Sequence, residues 1–149
     1  MASDSSHEEL ALRLQEDLAL PNVAKMMEAF GGRERGLNRF LAARGHDVDA
    51  AAEALQTTAS FRFESGLDGD AAYELSEELK DRVGKLWPGA YCGFTVDHCP
   101  VQFFRLGGLD VSALMESASE EEFRRYYIWW MEQALVLQCE GNERLRASG

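Results

Sequence analysis

Apolar positions divide the chain into stretches with two different periods. Leu10, Leu14 and Leu18 fall every four residues and predict one face of a first helix. Pro21-Asn22 interrupts it, with Asn22 suited to cap a second helix whose inward face is Val23, Met26, Met27 and Phe30. Gly31-Gly32 predicts the end of that helix. Leu37, Phe40 and Leu41 mark a third helix, closed by Gly45. Asp47 is a predicted cap for a fourth, with Val48, Ala51, Ala52 and Leu55 inward. Several of these helices are shorter than one that holds alone in water, so they must pack on each other. Residues 1–63 therefore read as a small helical bundle.

Glu64 to Asp70, with two glycines and two aspartates, reads as a linker. Ala72, Leu75, Leu79, Val83 and Leu86 restore a helical stripe that stops at Pro88. From Cys92 the period becomes two: Cys92, Phe94 and Val96 face one way, and Tyr91, Gly93 and Thr95 the other. Val101 to Leu106 is a second strand, joined through Asp97-His98-Cys99-Pro100. Histidine enters the left-handed region more readily than most residues, so His98 is compatible with a tight turn. Gly107-Gly108 gives an exit, and Val111 to Met115 a short helix. Ser119 and Glu122 form a capping box that opens a last helix running to about Cys139. The fold class expected is α+β and mostly helical. The bundle is followed, over 70–149, by a helix, a β-hairpin and a long apolar helix.

That last helix is apolar on more than one side. Phe123, Tyr127, Trp130, Ala134 and Leu137 make one stripe, and Tyr126, Ile128, Trp129, Met131, Leu135 and Val136 extend it. A surface helix needs only one stripe. This one expects either a place at the centre of a core or a role in lining a cavity.

A formal charge of −11 disfavours nucleic acid, which is held by clustered Lys and Arg. It also disfavours lasting attachment to anionic lipid, while leaving transient membrane contact through apolar side chains open. Three cysteines make an odd count, which fits a reducing compartment. Met1 to His7 lacks the apolar core of a signal peptide, and no run approaches the ~18 apolar residues of a spanning helix. A cytoplasmic, soluble chain is the expectation.

Cys92, His98 and Cys99 fall short of four zinc ligands at recognised spacings, so no metal and no cofactor is expected. No His–acid arrangement activates a cysteine, so the chain is not read as an enzyme. Glu77-Glu78 and Glu120-Glu121-Glu122 read as solvated helix faces, and Gly107-Gly108 lacks the spacing of a phosphate loop.

Four segments, Arg39 to Val48, Trp87 to Tyr91, Asp97 to Asp110 and Tyr126 to Met131, stand in an order that resembles the CRAL-TRIO lipid-binding family. The family carries phosphatidylinositol, tocopherol and retinaldehyde. The resemblance covers about Asn22 to Glu140 and implies a helical module followed by a sheet-floored lipid pocket. It implies headgroup contacts from Arg44, whose guanidinium fork suits phosphate oxygens, and from Tyr91. Gln102 and Met131 stand where two further headgroup tyrosines would be, and Phe61 where many members have tryptophan. Pocket walls would come from Phe103, Phe104, Tyr127, Trp130, Met131 and Leu135.

The family's central strands come later than Gly149, so an incomplete domain with impaired transfer is the expectation. Its ligand would be a phospholipid or other hydrophobic small molecule. Ile128, Trp129 and Trp130 would form an apolar patch that is left open in a truncated product, closed by another packing, or covered by a protein partner. A second resemblance competes: Gly45-His46-Asp47-Val48 followed by Ala51, Ala52 and Leu55 looks like half of a ubiquitin-associated, protein-interaction module.

Overall fold

The computed structural model describes residues 2–14, 21–68 and 73–148. They form α1 (Ala2–Arg13), α2 (Pro21–Ala29), α3 (Arg33–Ala43), α4 (Val48–Glu64), α5 (Glu77–Gly84), β1 (Gly89–Phe94), β2 (Pro100–Phe104), α6 (Val111–Ser117) and α7 (Glu120–Ser148). A 3₁₀ turn, Leu106–Gly108, leads from β2 to α6. The architecture is the mostly helical α+β arrangement expected. The chain divides into two compact units, Met1–Tyr73 and Glu74–Gly149.

In the first unit, Leu10, Leu14, Met26, Leu37, Leu41 and Leu55 are fully buried and build one core with Val23, Phe40, Ala51 and Ala52. Leu18 lies outside the described residues. Pro21 opens α2, so Asn22 sits in its first turn and is not a cap. Proline is well placed there because its missing N–H would have no helical partner.

The stops of α2, α3 and α4 share one device. In α2, Gly32 N–H reaches the Met27 carbonyl at 2.8 Å and Gly31 N–H reaches Glu28 at 2.9 Å. In α3, His46 N–H bonds Leu41 at 2.8 Å while Gly45 has φ 60°. In α4, Leu67 N–H bonds Arg62 at 2.9 Å and Gly66 N–H bonds Phe63 at 3.0 Å. Each is a Schellman stop, with a left-handed glycine satisfying the last carbonyls. Asp47 caps α4 as expected, accepting from Ala50 N–H at 3.0 Å.

The segment read as a linker is, from Ser65 to Asp68, a packed turn. Asp68 folds back to accept three hydrogen bonds of 2.8–3.0 Å from the Arg62 guanidinium, and both side chains are buried. The acidic, glycine-containing composition hid a clasp. Gly69 and Asp70 lie outside the described residues.

In the second unit the helical stripe begins later than predicted. Ser76 caps α5 by accepting from Leu79 N–H at 3.3 Å. Leu75 therefore precedes the helix, yet it is buried in the same core as Leu79 and Val83. Ala72 lies outside the described residues. The hairpin pairs Gly89 with Phe104, Ala90 with Phe103 and Tyr91 with Gln102, then slips so that Phe94 meets Pro100. That slip is a bulge centred on Gly93, whose φ is 116°. It overturns the expected alternation: Tyr91 and Phe94 are both half-buried, while Cys92 and Gly93 between them are exposed. His98 turns the hairpin at φ 57°.

Asp110 caps α6 through Ala113 N–H at 2.9 Å. The capping box is present: Glu122 N–H bonds Ser119 Oγ at 3.2 Å, and Ser119 N–H bonds Glu122 Oε2 at 2.9 Å. α7 runs nine residues past the expected end at Cys139, to Ser148. Gly141 sits inside it without breaking it, because the hairpin tip packs there. A Cβ at that position would overlap the His98 carbonyl oxygen and lie 3.2 Å from the Phe94 ring.

Candidate functional site

The second unit is organised around one indole. Trp87 leaves the last turn of α5 and meets the rings of Phe104, Phe123, Tyr126, Tyr127 and Trp130, with centroids 5.3–6.0 Å apart. Phe104 also packs edge-on to Trp130 at 5.2 Å, and Tyr91 stacks on Trp130 at 4.9 Å. Edge and offset contacts of this kind suit the ring quadrupole. Gly89 makes the assembly possible. A Cβ there would lie 2.8 Å from the Phe104 ring and from Trp87 Nε1, and 3.0 Å from Trp130.

Tyr91 is tied down at both its donor and its acceptor. Its hydroxyl donates to the Trp130 carbonyl at 3.1 Å, and Gln102 Nε2 donates to that hydroxyl at 3.5 Å. Burial, and then the nearby Tyr127 phenol, push the Tyr91 pKa above 10.0. Burial alone raises that of Tyr126. At the start of α7, the Ser119 N–H, the Arg82 guanidinium and the Ser119 hydroxyl hold the Glu122 carboxyl below its ordinary value. Arg82 Nη2 reaches Glu122 Oε1 at 2.6 Å and so links α5 to α7.

The expected wall residues divide between two faces. Trp130 is 5% exposed and forms a floor. Phe104 (38%), Tyr127 (45%) and Met131 (43%) remain open to solvent, and Leu135 is half-buried. Phe104, Tyr127 and Trp130 are joined through Trp87, and Met131 and Leu135 follow Tyr127 at four-residue steps along α7. Phe103 is on the other face of the hairpin, since its neighbour Phe104 points at α7.

Of the outcomes expected for the apolar patch, closure by packing is the one found. Trp130 and Ile128 are buried, and Trp129 is half-covered, with Tyr126 beside it at 5.6 Å and the Lys80 ammonium over its ring at 5.4 Å. The helix is turned so that Tyr126 and Trp130 face inward, and Tyr127 and Met131 form the fringe. The sequence named Trp87 only as the start of the Trp87 to Tyr91 segment and gave it no place in the site. Its position directly before Pro88-Gly89 was the available signal for a ring held between a helix and a strand.

Arg44 belongs to the first unit. It is exposed at the C-cap of α3 and borders a shallow depression of about 350 Å³ with Ala50, Glu53, Ala54, Thr57 and Thr58, all on α4. Among the described residues no three His, Cys, Asp or Glu side chains are placed to hold a metal ion. No described helix is long and apolar enough to cross a membrane.

The second unit thus presents an aromatic floor with a partly exposed apolar fringe. The chain is 31% identical over 109 residues to Protein real-time of Aedes aegypti, covering 72% of this chain and 16% of that protein. It is 31% identical over 98 residues to the phosphatidylinositol/phosphatidylcholine transfer protein SFH9 of Arabidopsis thaliana, covering 64% and 16%. It is 28% identical over 122 residues to the SEC14 cytosolic factor of Eremothecium gossypii, covering 79% and 39%. The chain therefore spans between about a sixth and two fifths of the length of these relatives. No protein-family model matches it. These similarities are consistent with the CRAL-TRIO family that the chain's motifs resemble.

Proposed function

We propose that this chain takes part in non-covalent lipid binding of the CRAL-TRIO type, without catalysing a reaction, in the cytoplasm. The supporting observation is the solvent-exposed fringe of Phe104, Tyr127 and Met131 over the Trp130 floor. An acyl chain laid along it gains ~0.8 kcal/mol for each methylene taken out of water. On the first unit, and separately from that fringe, Arg44 offers a forked donor to a lipid phosphate, the headgroup contact proposed there. Tyr91 is the weaker of the two headgroup candidates, because its hydroxyl already serves Trp130. The fringe is open on its solvent side, so we propose that this chain alone binds lipid with partial occupancy and transfers it poorly.

Native mass spectrometry after mixing with vesicles of phosphatidylcholine and phosphatidylinositol tests this reading. One lipid per chain at sub-stoichiometric occupancy is expected, with occupancy reduced in Tyr127→Ser/Met131→Ser. No lipid on the parent chain, or equal loading of the variant, overturns it.

A further inference from the structure

Acids open α4, α5 and α7. Asp49 stands in the first turn of α4, Glu77 and Glu78 in that of α5, and Glu120, Glu121 and Glu122 in that of α7. Each suits the positive end of a helix dipole. In the first unit, α3 reverses the rule. Arg33 and Arg35 flank Glu34 in its first turn, and Gly32 before them supplies no side-chain cap. Cations are unfavourable at that end. Among the described residues neither arginine has an ion-pair partner to offset this. A local choice made against stability is where a functional demand is expected to show.

The helix turns this charge outward. Gly36, Leu37, Phe40 and Leu41 are buried, so Arg35, Asn38, Arg39 and Ala42 lie on the opposite side. Asn38, Arg39 and Ala42 are exposed, as is Arg33 at the helix start. The Arg39 guanidinium lies over the Phe30 ring, 5.2 Å from its centroid, a contact that orders the side chain without neutralising it. Asn38 and Ala42 are short, so the arginines are the longest side chains on the face. From Arg33 to His46 four arginines stand against one acid, Glu34, in a chain of net −11.

We propose that this face of α3, made by Arg33, Arg35 and Arg39, docks the chain on an anionic membrane surface. It deepens the lipid-binding reading, on which it rests, by giving the side that meets the bilayer. Arg44, at the C-cap, keeps its proposed headgroup role. A lipid plane fits better than a protein, because protein interfaces centre on a buried aromatic or apolar anchor. Among the described residues of α2 and α3 no large hydrophobic side chain is exposed. The acidic remainder does not cancel the attraction. The Debye length of ~8 Å in physiological salt is less than the ~10–12 Å diameter of one helix. Acids on the far side of the bundle are therefore screened from a surface that touches α3. Each arginine near such a surface strengthens binding about fivefold, so three give on the order of a hundredfold. That suits a brief visit and not lasting attachment.

Co-sedimentation of the full chain with phosphatidylcholine vesicles, with and without phosphatidylserine, is the test. Binding is expected only where phosphatidylserine is present, and it should weaken as salt rises. Arg33→Gln/Arg35→Gln should bind about 30-fold less, through the loss of two such charges. Its melting temperature should be no lower than the parent's, because the helix end sheds two unfavourable cations. Arg33→Lys/Arg35→Lys should bind like the parent. Equal binding to uncharged vesicles, undiminished binding of the glutamine variant, or a lower melting temperature in that variant overturns the proposal. So does capture by heparin, an anionic polymer, without capture by vesicles. Lipid loading from uncharged phosphatidylcholine vesicles, read by native mass spectrometry, does not require these arginines. Loading that persists where docking fails removes this proposal alone.

Discussion

Gly141→Ala should destabilise the second unit although it improves the local helix. In an exposed helix interior this exchange gains up to ~1 kcal/mol, because alanine loses less backbone freedom on folding. Here the added methyl would overlap the His98 carbonyl and touch the Phe94 ring at 3.2 Å. The obstacle is hairpin backbone, not the end of a flexible side chain. Either the hairpin tip lifts or α7 shifts, and overpacking of this kind costs ~1–3 kcal/mol. Lifting the tip also loosens Phe94 from the Arg144 guanidinium, which lies 4.4 Å from the ring centroid. The net expectation is a loss of about 1–2 kcal/mol.

Urea unfolding followed by tryptophan emission reads this directly, since Trp87, Trp129 and Trp130 all belong to the second unit. Gly84→Ala is the matched control, because its Cβ would meet only the Tyr126 hydroxyl, at 3.4 Å. It should show no loss. A Gly141→Ala chain as stable as the parent, or equal losses in both variants, would refute the account of hairpin docking.

Asp68→Asn should cost about 3–5 kcal/mol in the first unit, because it strands the buried Arg62 guanidinium; thermal unfolding by far-UV circular dichroism measures it. Arg62→Met/Asp68→Leu should recover much of that loss. The lowered pKa of Glu122 predicts an acid limb: its contribution is complete above the ordinary value of 4.5 and is lost as pH falls through the lower folded value. Stability of Glu122→Gln and parent should therefore converge below that range in pH-dependent urea titrations. Tyr91→Phe removes the hydroxyl's bond to the Trp130 carbonyl and the longer one from Gln102, a loss of ~1–2 kcal/mol. The raised Tyr91 pKa adds stability below about pH 10.0 that fades as pH rises above it, so the variant should show a shallower alkaline decline.

What could be read from the sequence was what is decided within a few residues. Asp47, Gly31, Gly45, His98 and the Ser119–Glu122 box act on neighbours in the chain, and each stands where its local chemistry put it. What escaped depends on distant partners. Gly141 is a weak helix residue on its own, and only the His98 carbonyl explains why it is there. The Gly93 bulge reverses a face that alternation alone assigned wrongly. Asp68 looked like solvated loop because Arg62, its partner, lay inside a helix already counted as amphipathic. In the candidate site, Trp130, Phe104 and Tyr127 were named from resemblance and apolar pattern. The rotation of α7 that exposes Tyr127 and buries Trp130 is set by Trp87 and Gly89, neither of which a helical stripe can reveal.

The rings gathered about Trp87 also form a chiral chromophore. Trp87 and Trp130 are inclined at 67°, and Tyr91 and Trp130 at 26°, at separations of 5.3 and 4.9 Å. Transition dipoles so close and so fixed couple strongly in the near ultraviolet. Light absorbed there should rotate with a handedness that belongs to this arrangement alone and vanishes when the interior becomes fluid, even while the helices persist.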